Sequence, residues 1–120
     1  IEVPEVSAAD LTREATGEHS SQVAARVKRA REIQEMRYQA LGVSIRQNAH
    51  ADGELLDEIA TPDEAGLALL KKAAENFKLS ARGYRRVLRV ARTLADMGES
   101  QSVLCAHIAE ALSYRRLHFA

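Results

Sequence analysis

The chain has 120 residues, and its 17 Lys and Arg residues balance 17 Asp and Glu residues, so the formal net charge is zero. A balanced charge gives no overall attraction to nucleic acid or acidic lipid. The single cysteine excludes an internal disulfide framework and predicts a cytoplasmic protein. No apolar run reaches the roughly 18 residues of a membrane span, and neither a signal peptide nor an initiator methionine opens the sequence. We therefore expect one domain from a longer chain.

The composition favours helices. Alanine occurs 21 times and arginine 13 times, and both are strong helix formers, whereas aromatic residues make up only 4% of the chain. Neither proline lies in the interior of a predicted helix. The sequence therefore predicts an all-α fold, a four- to five-helix bundle.

The first 19 residues are predicted to connect this bundle to an upstream domain. Ile1 to Val6 alternates loosely and contains Pro4, which predicts a short N-terminal extended segment. That segment is either a frayed terminus or a strand whose partners lie upstream. Residues 7–18 then predict a polar connector with an acidic bias. The helical domain is expected over residues 20–116, and a frayed tail over residues 117–120.

A long helix is predicted from Gln22 to Leu41, where Gly42 is typical of a helix end. Apolar residues recur along it at helical spacing. Its exposed side is predicted to be basic and to include Arg26, Lys28, Arg29 and Arg37.

Two further helices are predicted after the loop that follows. A short one covers Glu54 to Ala60, and the next begins with Thr61 as its N-cap and Pro62 at the first helical position. Residues 52–64 contain six carboxylates and no Lys or Arg. We interpret this acidic patch as solvated surface and helix N-terminal charge.

The most regular pattern belongs to a helix that opens at residues 79–82 and ends near Met97. Its apolar residues follow the i, i+3, i+4, i+7 template. At about 100° per residue, its five arginines fall in one sector opposite the apolar stripe; they are Arg82, Arg85, Arg86, Arg89 and Arg92. A last helix, capped by Ser100 or Ser102, is predicted to run to about Tyr114.

The motifs of several common catalytic sites are missing from the sequence. No glycine precedes a lysine, so there is no Walker-type phosphate loop. The four histidines lack the spacing of a zinc site, so no metal site is predicted. We interpret His107 as a hydrogen-bonded structural residue and Cys105 as a small buried apolar residue. The 120 residues are expected to catalyse nothing by themselves.

Arg82 is the candidate functional residue, because it is predicted to lie in the first turn of a helix. Backbone N–H groups and the helix dipole attract anions at that place, whereas the charge of an arginine opposes the dipole. A bound phosphate would reverse this unfavourable interaction. Periodicity alone favours a solvated arginine on a polar face, with phosphate binding as the alternative.

Two stretches of the chain resemble a known family. Residues 79–96, LSARGYRRVLRVARTLAD, and residues 107–115, HIAEALSYR, resemble the C-terminal domain of the magnesium-chelatase-like AAA+ ATPases. Within that family they are most similar to the bacterial competence protein M group, also called magnesium-chelatase-related. Residues 30–34 and the pair Asn48-Ala49 also resemble the sequences of that family. Residues 1–4 resemble the passage from the ATPase core into its lid.

The resemblance implies that the chain is the helical lid of a ring-forming ATPase. In that family an arginine that opens a lid helix, called sensor 2, reaches over the bound nucleotide to the γ-phosphate, and this role falls on Arg82. The resemblance further implies that the full-length parent is an ATPase with ATP and Mg²⁺ as its cofactors, and that the lid alone binds neither. The implied partners are the upstream core and the neighbouring subunits of a homo-hexamer.

The other arginines have no family motif behind them. Arg85, Arg86 and Arg89 are candidate contacts to the nucleotide, to a neighbouring subunit or to DNA. For Arg86 and Arg89 the alternative is pairing with the acidic patch around Asp57 and Glu58.

Two functions stay open for an ATPase parent, and two further functions stay open without one, a DNA-binding module and a protein-interaction bundle unrelated to nucleotides. The competence group implies a hexameric DNA helicase or translocase in natural transformation, which we prefer. The chelatases proper imply ATP-driven insertion of Mg²⁺ into a porphyrin. Independently of the resemblance, the arginine helix could belong to a stand-alone DNA-binding module, although the zero net charge and the lack of a helix-turn-helix pattern argue against it.

Overall fold

Five α-helices and one 3-10 turn make up the computed structural model, which describes the backbone of residues 2–119 and the side chains of residues 20–114. The all-α prediction is confirmed. In chain order the elements are α1 (Glu2–Leu41), the 3-10 turn (Asn48–His50), α2 (Gly53–Ile59), α3 (Glu64–Asn76), α4 (Ala81–Met97) and α5 (Cys105–Phe119). Over the described backbone, β-type pairing is limited to one isolated bridge between Pro62 and Val103.

The first helix begins much earlier than the sequence predicts. α1 starts at Glu2, so a helix replaces the extended segment expected from Ile1 to Val6 and the connector expected over residues 7–18. Pro4 permits this because it lies in the first turn, where backbone N–H groups have no carbonyl partner within the helix. Alanine, leucine and glutamate residues, which are good helix formers, then continue the helix. Ile1 itself lies outside the described residues.

Gly42 ends α1 as predicted, through a Schellman motif. The N–H of Val43 donates to the carbonyl of Tyr38 at 3.1 Å, and the N–H of Gly42 donates to the carbonyl of Gln39 at 3.1 Å. Gly42 has φ +72°, which glycine adopts without the steric penalty of a Cβ atom. The motif turns the chain back towards the bundle.

Asp63, and not Thr61, is the N-cap of α3. The side chain of Asp63 accepts a hydrogen bond from the N–H of Gly66 at 2.7 Å. The prediction that Thr61 is the N-cap is wrong, because its hydroxyl donates to the carbonyl of Asp57 instead, at 2.6 Å. Pro62 pairs with Val103 across the bridge, and the helix starts at Glu64, two residues later than predicted.

The last helix also starts later than predicted. α5 begins at Cys105 rather than after Ser100 or Ser102, and Nδ1 of His107 accepts a hydrogen bond from the N–H of Leu104 at 2.9 Å. His107 is therefore the hydrogen-bonded structural histidine that the sequence indicates. Cys105 is only half-buried. α5 continues to Phe119 and so includes part of the predicted frayed tail, while Ala120 lies outside the described residues.

α4 is the central helix of the bundle. It packs against α1, α2, α5 and the 3-10 turn, while α3 packs against α5. Its buried apolar residues are Val87, Leu88, Ala91 and Ala95, which confirms most of the predicted stripe. No helix, over the residues described, is both long and apolar enough to span a membrane.

We expect Gly42→Ala to lower the free energy of unfolding by about 1–2 kcal/mol, because an L-residue is strained in the left-handed conformation. Nothing lies within 4 Å of the added Cβ atom, so the loss would report backbone strain alone. Gly98→Ala is the matched control at the end of α4. Its φ is −89° and the nearest atoms to its Cβ lie at 3.7 Å, so its stability should stay the same or rise slightly. Urea unfolding of both variants makes the comparison, and equal losses would contradict this explanation.

Candidate functional site

The first turn of α4 carries Arg82. Ser80 is the N-cap, and its Oγ accepts a hydrogen bond from the N–H of Gly83 at 3.0 Å. The N–H groups ahead of Gly83 have no carbonyl partner within the helix, as at any helix start. Arg82 is exposed at this end, so its charge lies at the positive end of the helix dipole, as the sequence predicts.

Asp52 holds two of the other arginines. It is the N-cap of α2, and its Oδ1 lies 3.6 Å from Nε of Arg85 and 3.6 Å from Nη2 of Arg89. Nε of Arg89 also donates to the carbonyl of Ala51 at 2.8 Å. Arg85 and Arg89 thus pair with Asp52, the first carboxylate of the acidic patch, and not with the carboxylates around Asp57.

Arg92 lies inside the protein, which corrects the prediction that all five arginines of α4 lie opposite the apolar stripe. Only 3% of the residue is exposed. Its guanidinium donates to the carbonyls of Ile59, Ser100 and Gln101 at 2.7–3.1 Å. On the helical wheel Arg92 is the arginine nearest the apolar stripe. The end of α2 and the loop after α4 cover this edge of the arginine sector, so helical periodicity alone could not identify it as buried.

Asp96 is the buried counter-charge of Arg92, and its side chain is fully buried. Nη2 of Arg92, one turn earlier on the same helix, lies 3.0 Å from Oδ1 of Asp96. Arg37 of α1 binds the same carboxylate with both terminal nitrogens: its Nη1 donates to Oδ2 at 2.9 Å and its Nη2 donates to Oδ1. Nδ2 of Asn48 donates to Oδ2 at 2.8 Å. We call Arg37, Asn48, Arg92 and Asp96 the Asp96 cluster. Arg37 is therefore not part of an exposed basic side of α1, as predicted, because Asp96 draws it inward.

One carboxylate in this cluster faces two guanidinium groups. Burial lowers the pKa of Arg92, and the charge of Arg37 acts in the same direction, while Asp96 opposes both. For Arg37, burial also lowers the pKa, but the hydrogen bond to Asp96 and the charge of Asp96 outweigh it, so the net pKa is raised. Nε of Arg92 is buried and has no hydrogen-bond partner among the side chains described. The cluster therefore depends strongly on its only carboxylate.

Asn48 connects the Asp96 cluster to the 3-10 turn and is 1% exposed. Its N–H donates to Oε1 of Gln34 at 2.8 Å, and its Oδ1 accepts from the hydroxyl of Tyr38 at 2.6 Å. Its Nδ2 also donates to Oγ1 of Thr93 at 3.1 Å. A single asparagine thus fixes the turn against both α1 and α4.

A groove of about 440 Å³ lies between the 3-10 turn and the exposed side of α4. Three of the candidate arginines line it, with aliphatic and small residues between them. Arg85 is not part of the lining. We call this the arginine groove, and its residues are Ala49, Arg82, Arg86, Arg89, Val90, Thr93 and Leu94.

The Asp96 cluster was not predicted from the sequence, although a local signal for half of it exists. Arg92 and Asp96 lie four residues apart, a spacing at which opposite charges pair on a helix, beside the buried Ala91 and Ala95. Arg37 and Asn48 carry no comparable signal, because they meet Asp96 across 59 and 48 residues of sequence.

These features define a class of domain: an all-α bundle in which arginines of the central helix line a groove. Residues 17–115 match the family described as magnesium chelatase, subunit ChlI C-terminal, and the chain belongs to this family.

Similar proteins are known in several bacteria. Competence protein ComM of Haemophilus influenzae is 34% identical over 118 residues, which cover 98% of this chain and 22% of that protein. An uncharacterized protein of Mycobacterium tuberculosis is 40% identical over 102 residues, covering 85% of this chain and 20% of that protein. The uncharacterized protein YifB of Escherichia coli is 34% identical over 101 residues, covering 84% and 19% respectively. The chain thus spans about a fifth of the length of these relatives.

We expect Asp96→Asn to lower the free energy of unfolding by about 3–5 kcal/mol, because the buried guanidinium of Arg92 and the half-buried guanidinium of Arg37 would lose their shared counter-charge. Glu99→Gln is the matched control. It also removes one carboxylate from an ion pair, 3.1 Å from Arg29, but both of those side chains are more than half exposed. Its cost should stay below about 1 kcal/mol. Urea unfolding measures both, and a loss for Asp96→Asn no larger than that of the control would show that the cluster is not the main polar support of the bundle.

Proposed function

We propose that this chain is the helical lid of an AAA+ ATPase, and that Arg82 is its sensor for the γ-phosphate of ATP. Family membership supports the lid assignment. The position of Arg82 in the structure is the observation that carries the sensor assignment. It is exposed, lies in the first turn of α4 and lines the arginine groove.

The physical chemistry of that position suits a phosphate. Without a ligand, the charge of Arg82 opposes the helix dipole, and an oxyanion bound there would interact favourably with both the dipole and the guanidinium. A guanidinium stays charged at all relevant pH values and donates two parallel hydrogen bonds to phosphate oxygens. Hydrolysis and loss of the γ-phosphate would remove this contact. The arginine thus reports the state of the nucleotide to the lid.

The Asp96 cluster would make the lid move as one body. It joins α1, the 3-10 turn and α4 through buried charge-assisted hydrogen bonds, and Arg92 adds the end of α2 and the loop after α4. A contact made or lost at Arg82 therefore acts on all of these elements together. ATP and Mg²⁺ would be held by the core of the full-length protein, and the lid would close over the nucleotide and transmit its hydrolysis to a ring of subunits.

For the full-length protein we propose a hexameric DNA helicase or translocase that acts in natural transformation. One of the relatives carries the name competence protein, and this relation covers nearly the whole chain. The alternative, a lid of a magnesium chelatase ATPase subunit, is favoured by the name of the matching family. A stand-alone DNA-binding module is the weaker candidate, because Arg92 is buried and Arg85 and Arg89 pair with Asp52.

We expect Arg82→Ala in the full-length protein to lower the rate of ATP hydrolysis at least tenfold, about 1.4 kcal/mol or more of barrier. Arg82→Lys should restore only part of the rate, because lysine keeps the charge but loses the two-pronged geometry. Arg26→Ala, which removes an exposed arginine of α1, is the control and should hydrolyse ATP like the unaltered protein. Nucleotide binding and circular dichroism are measured alongside. Equal rates for Arg82→Ala and Arg26→Ala would exclude the sensor role.

A further inference from the structure

The four arginines of α4 that are not buried differ in whether their charge is compensated. Arg85 and Arg89 lie 3.6 Å from Asp52, and Arg89 also donates to a backbone carbonyl. In contrast, no carboxylate within residues 20–114 forms an ion pair with Arg82 or Arg86. Both are exposed and both line the arginine groove. The groove therefore contains two cationic groups whose charge the described part of the chain leaves unbalanced.

The spacing of these two arginines makes them a pair. They are four residues apart on α4, so their Cβ atoms lie about 5–6 Å from each other on one face of the helix. Like charges at this spacing repel, and the charge of Arg82 also opposes the helix dipole. One anion bound between the two guanidinium groups would relieve both unfavourable interactions at once.

The lining of the groove favours a compact anion with several phosphate groups. Two guanidinium groups one helical turn apart each present a fork of N–H donors, so each can hold a different phosphate group of one chain. Val90 and Leu94 line the same groove with aliphatic surface. Their presence reduces the water around the bound charge and strengthens its attraction to the arginines.

We propose that Arg86 is a second phosphate-binding residue, which acts with Arg82 to hold two phosphate groups of one polyphosphate ligand in the arginine groove. The proposal rests on the proposed function in taking this ligand to be the phosphate chain of a nucleotide. It goes further by giving Arg86 a binding role and by excluding Arg85 and Arg89, whose charges Asp52 already engages.

Because the lid alone is not expected to hold ATP, the test measures the weak binding that the groove itself provides. The 120-residue chain, first shown by circular dichroism to fold on its own, is titrated with inorganic tripolyphosphate and, separately, with orthophosphate at low salt. Binding is followed by calorimetry and by the NMR signals of the arginine Nε–H groups. Tripolyphosphate should bind at least tenfold more tightly than orthophosphate. Arg82→Ala and Arg86→Ala should each weaken tripolyphosphate binding about tenfold. Arg26→Ala, with the same loss of charge, should change it less than twofold, and Arg86→Lys should fall between Arg86→Ala and the unaltered chain. Circular dichroism checks that all variants are folded.

Each other result would overturn part of the account. If Arg86→Ala behaves like Arg26→Ala, Arg86 is a solvated side chain and the two-arginine site is wrong, whereas the sensor role of Arg82 is judged separately by ATP hydrolysis in the full-length protein. If a single-stranded DNA oligonucleotide binds the same arginines more tightly than tripolyphosphate, the groove is a nucleic-acid contact and the inference fails. If both arginines bind tripolyphosphate but Arg82→Ala leaves ATP hydrolysis unchanged, the site stands and the sensor function is wrong.

Discussion

The structure depends most on the buried ion pairs of Asp96. This one carboxylate balances Arg37 from α1 and Arg92 from its own helix, and it also accepts a hydrogen bond from Asn48. Burying charged groups is unfavourable unless they are paired and hydrogen-bonded. The folded arrangement therefore requires α1, the 3-10 turn and α4 to meet in one relative position. Apolar packing alone would fix these contacts less uniquely, because aliphatic side chains tolerate small displacements.

This constraint shapes the arginine groove as well. Asn48 belongs to the Asp96 cluster and bonds to Thr93, while the next residue, Ala49, lines the groove together with Thr93. The position of Ala49, the lining residue that lies outside α4, is thus set by the same buried charges that hold the helices. Asp52 completes the arrangement from α2 by engaging Arg85 and Arg89. Core and groove are therefore parts of one polar framework, which suits the proposed response of the domain as a unit to a bound phosphate.

The sequence predicts the helices well and the polar contacts between them poorly. Helical periodicity located α4 and its buried stripe, and Gly42 marked the end of α1, because both signals are local. The prediction of an extended segment is wrong for residues 2–6, since Pro4 is tolerated in a first helical turn. The exposed position of Arg82 at a helix start could also be predicted, whereas its contact to a phosphate stays a prediction. The inward positions of Arg37 and Arg92 could not, because their partners lie on other elements or on covering loops, and these contacts exist only after folding.

The central claim is that α4 presents Arg82 to the γ-phosphate of a nucleotide held by another part of the full-length protein. A structure of that protein with a non-hydrolysable ATP analogue tests it most directly. The account predicts a guanidinium nitrogen of Arg82 at hydrogen-bond distance from a γ-phosphate oxygen, about 2.7–2.9 Å, with the Asp96 cluster unchanged. A bound nucleotide whose γ-phosphate is contacted by other groups, with Arg82 in solvent, would contradict it.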